Sequence, residues 1–521
     1  MEKKVLIWPD VVVKKIIAEK GDKKKYVCAA GITPSGTVHI GNFREIMTVE
    51  LVVRALREAG KEVRFIYSWD DYDVFRKVPK NMPKQEMLEK HLRHPIVDIP
   101  DPYDKEDSYA RHHEIEVEED VIRVGIKPEY LYQSKKYRNK EYVEGMIKAL
   151  QNKDKIKEIL DNYRTEALSE DWLPISGYCP DCNTDEVTFS DYDGDSKIKM
   201  LCTSCKKEFD TDIKKASYIK LPWRVDWPMR WAHEQVDFEP GGKDHSTHGG
   251  SFMTGKEIVK EVYNWTAPTY QRYDFIGIKG GSGKISSSTG NVITLGSCLE
   301  IYEPVIVRWL FVGTRPNAEF SISFDTDVIK IYEDFDRVER AYFGKEKIKD
   351  LEKQKRIYQL SCVDKPSKKL PFQPSFRHLT NFLQINEMDI EKTIASYPEA
   401  KTKADKDRIK LRATWAKNWL ENHAPEEFKF TIQNEVSKEL KLSKEMKEIF
   451  KQLSKDLKEK EWTDKELHNH FYTLVKANEV PTAEFFKAAY QILVNKEKGP
   501  QLAHFILIIG KERVAELFDK I

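Results

Sequence analysis

The chain has 521 residues, 40% hydrophobic and 33% charged, with 87 basic against 86 acidic side chains and a formal net charge of +1. At roughly 150 residues per domain this is material for about two to four domains. The 11% aromatic content excludes a collagen-like or mostly disordered chain, no run nears the ~20 apolar residues that span a bilayer, and the balanced charge leaves any nucleic-acid partner to local basic patches.

Residues 1–10 read as a strand-like apolar segment behind Lys3 and Lys4. They lack the apolar core and cleavage site of a secretory signal, which predicts a cytoplasmic protein. Residues 26–32 form an apolar run of strand length, followed by the loop Thr33-Pro34-Ser35-Gly36. Residues 42–59 carry Ile46, Val49, Val53 and Leu56 at helical spacing, with Gly60 as the stop. Residues 61–69 alternate as a second strand, so the opening predicts a βαβ unit with parallel strands.

The turn from the first strand into the first helix contains His39-Ile40-Gly41-Asn42. In open α/β sheets ligands bind where strands end and helices begin, and a helix N-terminus favours phosphate. A glycine at 41 admits close approach of a nucleotide. By itself the tetrapeptide also fits a surface turn. About 240 residues later, Lys284-Ile285-Ser286-Ser287-Ser288 sits among Gly280, Gly281, Gly283 and Gly290, after a strand-like run at 273–278. A lysine on such a loop can neutralise charge developing on a triphosphate; a flexible linker would have a similar composition.

Between these lie four of the seven cysteines, as Cys179-x-x-Cys182 and Cys202-x-x-Cys205 with 19 residues between the pairs. Each pair supplies two thiolates from one tight turn, and four soft ligands suit tetrahedral Zn2+ in a closed, structural site. Cys28, Cys298 and Cys362 read as small buried apolar residues. From about residue 325 the pattern turns helical, with a Pro-rich linker at 363–374 and helices expected at 404–420, 437–458, 464–477 and 482–494. Arg377, His378, Arg408, Arg412, Trp415 and Trp419 mix basic and aromatic character there, as a base-stacking surface or a packed helical domain would.

Taken together, the two loops resemble the paired signatures of the class I aminoacyl-tRNA synthetases. Asn42 stands for the last His of the first signature, and Ile285 and Ser287 for the Met and second Lys of the other. The stretches Thr33-Pro34-Ser35-Gly36, Ser68-Trp69-Asp70-Asp71-Tyr72-Asp73, Leu221-Pro222-Trp223-Arg224-Val225-Asp226-Trp227 and Gly242-Lys243-Asp244-His245 are similar to the lysine-specific subfamily, class I lysyl-tRNA synthetase. The resemblance implies an α/β Rossmann-type catalytic domain over 1–320 with a zinc-ribbon-like insert at 175–215. A helical connector at 321–370 and a mostly α-helical anticodon-binding region at 371–521 would follow. It implies ATP-dependent charging of tRNA(Lys) with L-lysine through a lysyl-adenylate, with Mg2+ on the phosphates and AMP and pyrophosphate released.

His39, Asn42 and Lys284 would act in catalysis. His39, Gly41, Asn42, Gly242, Asp244, Lys284, Ser286, Ser287 and Ser288 would hold ATP. Gly31, Thr33, Asp70, Asp71, Trp223, Trp227, His245 and Tyr273 would hold lysine. Trp231, Asp226 and His248 are further aromatic and polar candidates, and a monomer without membrane attachment is expected. Some relatives carry a second metal site in the segment matching 100–113. Here Lys105 and Glu106 replace its Cys and His, so no second site is expected. Two other readings stay open: a class I synthetase for another amino acid such as glutamate, and a non-catalytic zinc-ribbon RNA-binding protein.

Overall fold

The computed structural model describes residues 5–279 and 292–521; the second loop signature, with Lys284, Ser286, Ser287 and Ser288, lies outside the described residues. The chain divides into two compact units. One runs to Ile322 and includes Gly344–Pro366; the other comprises Ser323–Phe343 and Ser367–Ile521.

The first unit is built on β1 (Lys25–Ile32), α1 (Ile40–Glu58), β2 (Glu62–Trp69), α2 (Tyr109–Arg123), β3 (Glu129–Tyr132), α3 (Trp223–Glu234), β4 (Phe238–Gly242) and β5 (Thr269–Tyr273). The five strands are all parallel in the order β5-β4-β1-β2-β3. The order reverses between β1 and β4, which creates a crevice beyond their C-terminal ends, where ligands bind in this topology. Tyr26, Cys28, Ala29 and Ala30 of β1 are all buried, as expected of a parallel strand covered on both faces. α1 begins two residues before the predicted start because the His39 side chain caps it, accepting from the Gly41 N–H at 3.1 Å. It stops, as expected, before Gly60, whose φ of 80° is the left-handed conformation glycine adopts readily.

Two local expectations fail. The N-terminal apolar segment is not a strand: Trp8–Lys20 is a helix, with Pro9 in its first turn and the Asp10 carboxylate accepting from Ile7 N–H at 3.1 Å. The run at 273–278 is two strands, because β5 ends at Tyr273 and Ile276–Lys279 joins Phe320–Ser323 in a separate two-stranded sheet.

The Cys-rich insert forms a three-stranded antiparallel sheet of Val187–Ser190, Lys197–Cys202 and Glu208–Asp212. Its Ile198 and Met200 share one core with Ala29, Ile66 and Leu131 of the main sheet, so the insert is mounted on the catalytic core.

The second unit is helical. Lys403–Asn422, Asp464–Ala477 and Thr482–Val494 follow the predicted periods. The helix expected from 437 starts instead at Lys444, where Ser443 Oγ accepts from Met446 N–H at 3.1 Å. Arg412 is fully buried, forked onto Asp336 at 2.7 and 2.9 Å, and Trp419 donates to Phe324 O at 3.0 Å. Both are core residues, not a surface for bases. Among the described residues, no helix is long and apolar enough to cross a membrane.

Candidate active site

The crevice beyond β1 and β4 opens into a cavity of about 640 Å³. It brings together Gly31, Thr33, Asn42, Asp70, Trp223, Trp227, His245 and Tyr273 from the sequence-derived set. His39 and Gly41 sit at the N-terminus of α1, and Gly242 and Asp244 follow at the end of β4; these four lie at the same edge of the sheet but outside the lining.

At the α1 end, the imidazole Nδ1 of His39 accepts from Gly41 N–H, so in the neutral ring the proton sits on Nε2. A donor is thereby set beside the positive end of the helix dipole. The reason for glycine at 41 differs from the expected nucleotide approach. A Cβ there would lie 2.8 Å from the His39 ring, so glycine is what lets the imidazole fold over the first turn. Ile40 N–H donates to Ile293 O at 2.7 Å, which ties the chain just beyond the second loop to this turn.

The cavity floor is a set of carboxyls with different partners. Asp70 accepts from Arg230 Nη1 at 2.6 Å. Asp73 accepts from Lys220 Nζ at 2.8 Å and from Thr33 Oγ1 at 2.9 Å. Both are thus neutralised in place. Asp226 is buried behind them, ion-paired with Arg230 at 3.2 Å and bonded to the Tyr137 hydroxyl. Asp71 does not join the cavity. It lies in the turn after β2, and its carboxylate accepts from Ser134 N–H at 2.8 Å and from the Ser134 hydroxyl.

Two lining residues were missed from the sequence. Glu45 accepts from Gly31 N–H at 2.9 Å and from the Tyr273 hydroxyl at 2.6 Å. Glu239 accepts from the indole N–H groups of Trp227 at 3.0 Å and Trp231 at 2.6 Å. Neither has a salt-bridge partner among the described residues. Burial pushes the Glu45 carboxyl up to about 8 and the Glu239 carboxyl up to about 7. Glu239 is only 8% exposed, with each oxygen taken by an indole. Glu45 is half-buried and also lines the cavity, one oxygen on the Gly31 N–H and the other on the Tyr273 hydroxyl. The position of Gly31 is sterically fixed, since a Cβ there would lie 3.0 Å from Ser68 Cβ and O. Trp223 stacks on Trp227, with ring centroids 5.2 Å apart and planes at 16°, and His245 lies 5.6 Å from Trp227. The result is an aromatic wall beside an acid that, among the described residues, has no cation paired with it. His248, in contrast, is exposed and packs near Tyr163.

Tyr178, Val187 and Phe189 of the insert line the same cavity. Its four cysteines converge: Cys179 Sγ lies 3.7 Å from Cys205 Sγ, and Cys182 Sγ lies 3.6 Å from Cys202 Sγ. Tetrahedral zinc with Zn–S bonds of about 2.3 Å needs sulfur pairs at about 3.8 Å, so these residues fit that ion. In the segment where no second metal site is expected, Asp101 accepts from three backbone N–H groups, those of Tyr103, Lys105 and Glu106. Nearby, His112, His113 and Glu116 bring ligand atoms within 4.8 Å of one another, a grouping the count of Asp101 and His112 alone does not include.

Residues 6–364 match the family described as tRNA synthetases class I (K), and residues 416–517 match the anticodon binding domain. A parallel α/β core with a crevice at its switch point, followed by a helical anticodon domain, makes this a class I aminoacyl-tRNA synthetase. Similarity extends along the whole chain. It is 49% identical to the lysine–tRNA ligase of Borrelia garinii subsp. bavariensis, over 98% of this chain and 99% of that one. It is 46% identical to that of Treponema pallidum, over 99% of each, and 44% identical to that of Thermococcus kodakarensis, over 97% and 98%. The chain belongs to the class I (K) family of tRNA synthetases, and a purely non-catalytic RNA-binding reading falls away.

Proposed function

We infer that this enzyme attaches L-lysine to tRNA(Lys) in two steps: formation of lysyl-adenylate from lysine and ATP, and transfer of the lysyl group to the terminal ribose. The observation that carries the reading is an acid in the cavity that an ammonium would ionise. A half-buried carboxyl, that of Glu45, has no salt-bridge partner among the described residues and faces a tryptophan-walled space. Such a site suits an ammonium on an apolar stem and disfavours the carboxylate of glutamate.

In this reading Glu45 pairs with the substrate ammonium and Trp223 and Trp227 flank its stem. Glu239 holds Trp227 and Trp231 in register. Gly31 and Thr33 meet the substrate backbone, and Arg230 fixes Asp70 beside it. The lysine carboxylate then attacks the α-phosphorus, forming a new P–O bond as the bond to pyrophosphate breaks. His39 Nε2–H, Asn42, the N-terminus of α1 and Lys284 stabilise phosphoryl charge, with Ser286, Ser287 and Ser288 as supporting donors. Gly242 and Asp244 hold the ATP ribose, and Mg2+ brought in with ATP would offset phosphate charge. A ribose hydroxyl of tRNA next attacks the lysyl carbonyl and AMP departs. Cytoplasmic location and a monomeric state go with this reading. The test is charging of a tRNA(Lys) transcript with labelled lysine: it should require ATP and fail with glutamate, and charging with glutamate but not lysine would overturn it.

The four cysteines hold one structural Zn2+ in this proposal. Because the insert carries part of the cavity wall, zinc and substrate binding are linked. Metal analysis should find one zinc per chain. Cys182→Ser should lose it, lower Tm and raise the lysine KM by about tenfold or more. A Cys182→Ser protein with unchanged KM would show that the insert does not shape the pocket.

A further inference from the structure

Arg44 lies on α1, five residues beyond His39, and is only 2% exposed. Among the described residues it makes none of the carboxylate hydrogen bonds that a buried guanidinium ordinarily makes. Its guanidinium donates instead to four backbone carbonyls: Nη1 to Asp274 O at 2.7 Å and Phe275 O at 3.1 Å, Nη2 to Arg315 O at 2.9 Å and Ala318 O at 2.6 Å. The Phe320 ring covers it, with its centroid 5.2 Å from Cζ. Burial draws its pKa down to about 10, so it stays charged at neutral pH.

These carbonyls have a common location. Asp274 and Phe275 join β5 to Ile276–Lys279, the strand that runs into residue 280 and so into the second loop signature. Arg315 and Ala318 precede Phe320–Ser323, the partner of that strand. On the far side of the loop, Ile40 N–H of α1 holds Ile293 O at 2.7 Å. The first turns of the helix that begins at His39 therefore bind the backbone on both flanks of the second signature. Only a guanidinium has a planar fork with enough donors for four converging carbonyls; a lysine has three and no fixed plane.

We propose that Arg44 is a positioning residue for adenylate formation: it touches no substrate, and it sets the strand carrying the second signature against the His39 end of α1. The proposal deepens the reading above and rests on it. A misplacement of about 1 Å at a reacting centre can cost about 10²-fold in rate.

The test uses the full-length enzyme and ATP–pyrophosphate exchange, beginning with wild type. Absence of lysine-dependent exchange there would refute the lysine reading; the clamp would then be judged with whichever amino acid supports exchange. Arg44→Lys should lower kcat by about 10²-fold while the lysine KM stays within about threefold, because the cavity floor lies on other contacts. Millimolar guanidinium should restore exchange in Arg44→Ala at least tenfold and do nothing for Lys284→Ala. Retention of kcat within threefold in Arg44→Lys overturns the proposal, as does a loss expressed as a matching rise in lysine KM. Should Arg44→Ala fail to fold, Arg44→Lys alone decides.

Discussion

Lys284→Ala is expected to slow lysyl-adenylate formation by about 10³-fold while leaving the lysine KM within about threefold. Residues 280–291 contain one cationic residue, Lys284, so no neighbouring charge in that segment can substitute for it. Its role in the proposed mechanism is confined to charge that grows on the phosphates as pyrophosphate leaves. Removing one preorganised donor to such charge costs about 10²–10³-fold in rate, and loss of a full cation belongs at the upper end. Most of the lysine cavity is lined by the C-terminal ends of β1, β2 and β4, by α1 and α3 and by the insert, with only Tyr273 coming from the strand that leads towards the loop. Pre-steady-state measurement of adenylate formation separates the two parameters. A folded variant slowed less than tenfold would remove Lys284 from the chemistry.

The second large effect concerns Glu45. Glu45→Gln should lower kcat/KM for lysine by about 10³-fold. The variant loses the charge that matches the ammonium. Its amide oxygen can keep the Gly31 N–H, but its NH2 then faces the Tyr273 hydroxyl, which must turn from donor to acceptor. Sites built around a buried polar partner lose this much when the partner is mismatched. The pH dependence follows from the same carboxyl. In the free enzyme burial raises it to about 8, so at neutral pH it is mostly protonated. An ammonium favours the ionised form, so lysine binding releases a proton. The lysine KM should therefore fall as pH rises, roughly tenfold per unit between pH 6 and 7, and flatten above about 8. Glu45→Gln should abolish most of that slope; a variant that keeps the slope would assign the titration to another group, Glu239 first.

Much of the architecture was legible because it is periodic. β1, α1 and β2 follow from a buried run, a helical stripe and an alternating strand, and the helices Asp464–Ala477 and Thr482–Val494 from their apolar faces. The cysteine pairs were legible because two ligands per tight turn leave a fixed spacing. What escaped depends on which way single side chains point. Asp70 and Asp71 are chemically identical in sequence, yet the turn after β2 sends one to the cavity and the other to Ser134. Glu45 is one of several charged residues on α1; its only signal is the three-residue offset from Asn42, which puts both on one face. Glu239 carried a clearer one, an acid inside the apolar run Phe238-Glu239-Pro240, where a buried carboxyl demands hydrogen-bond partners. Arg44 left no trace in the sequence, since backbone carbonyls are present at every position and only the fold gathers four of them.

In the proposed mechanism one crevice holds the lysine ammonium at Glu45 and the phosphate at the His39 end of α1. A crystal structure with a non-hydrolysable lysyl-adenylate analogue tests it most directly. It should place the ammonium within about 3.2 Å of a Glu45 oxygen, the stem along Trp223 and Trp227, and the phosphate mimic beside His39 and Asn42. An ammonium paired with Glu239 or Asp70 instead, or a phosphate mimic away from the start of α1, would contradict the account.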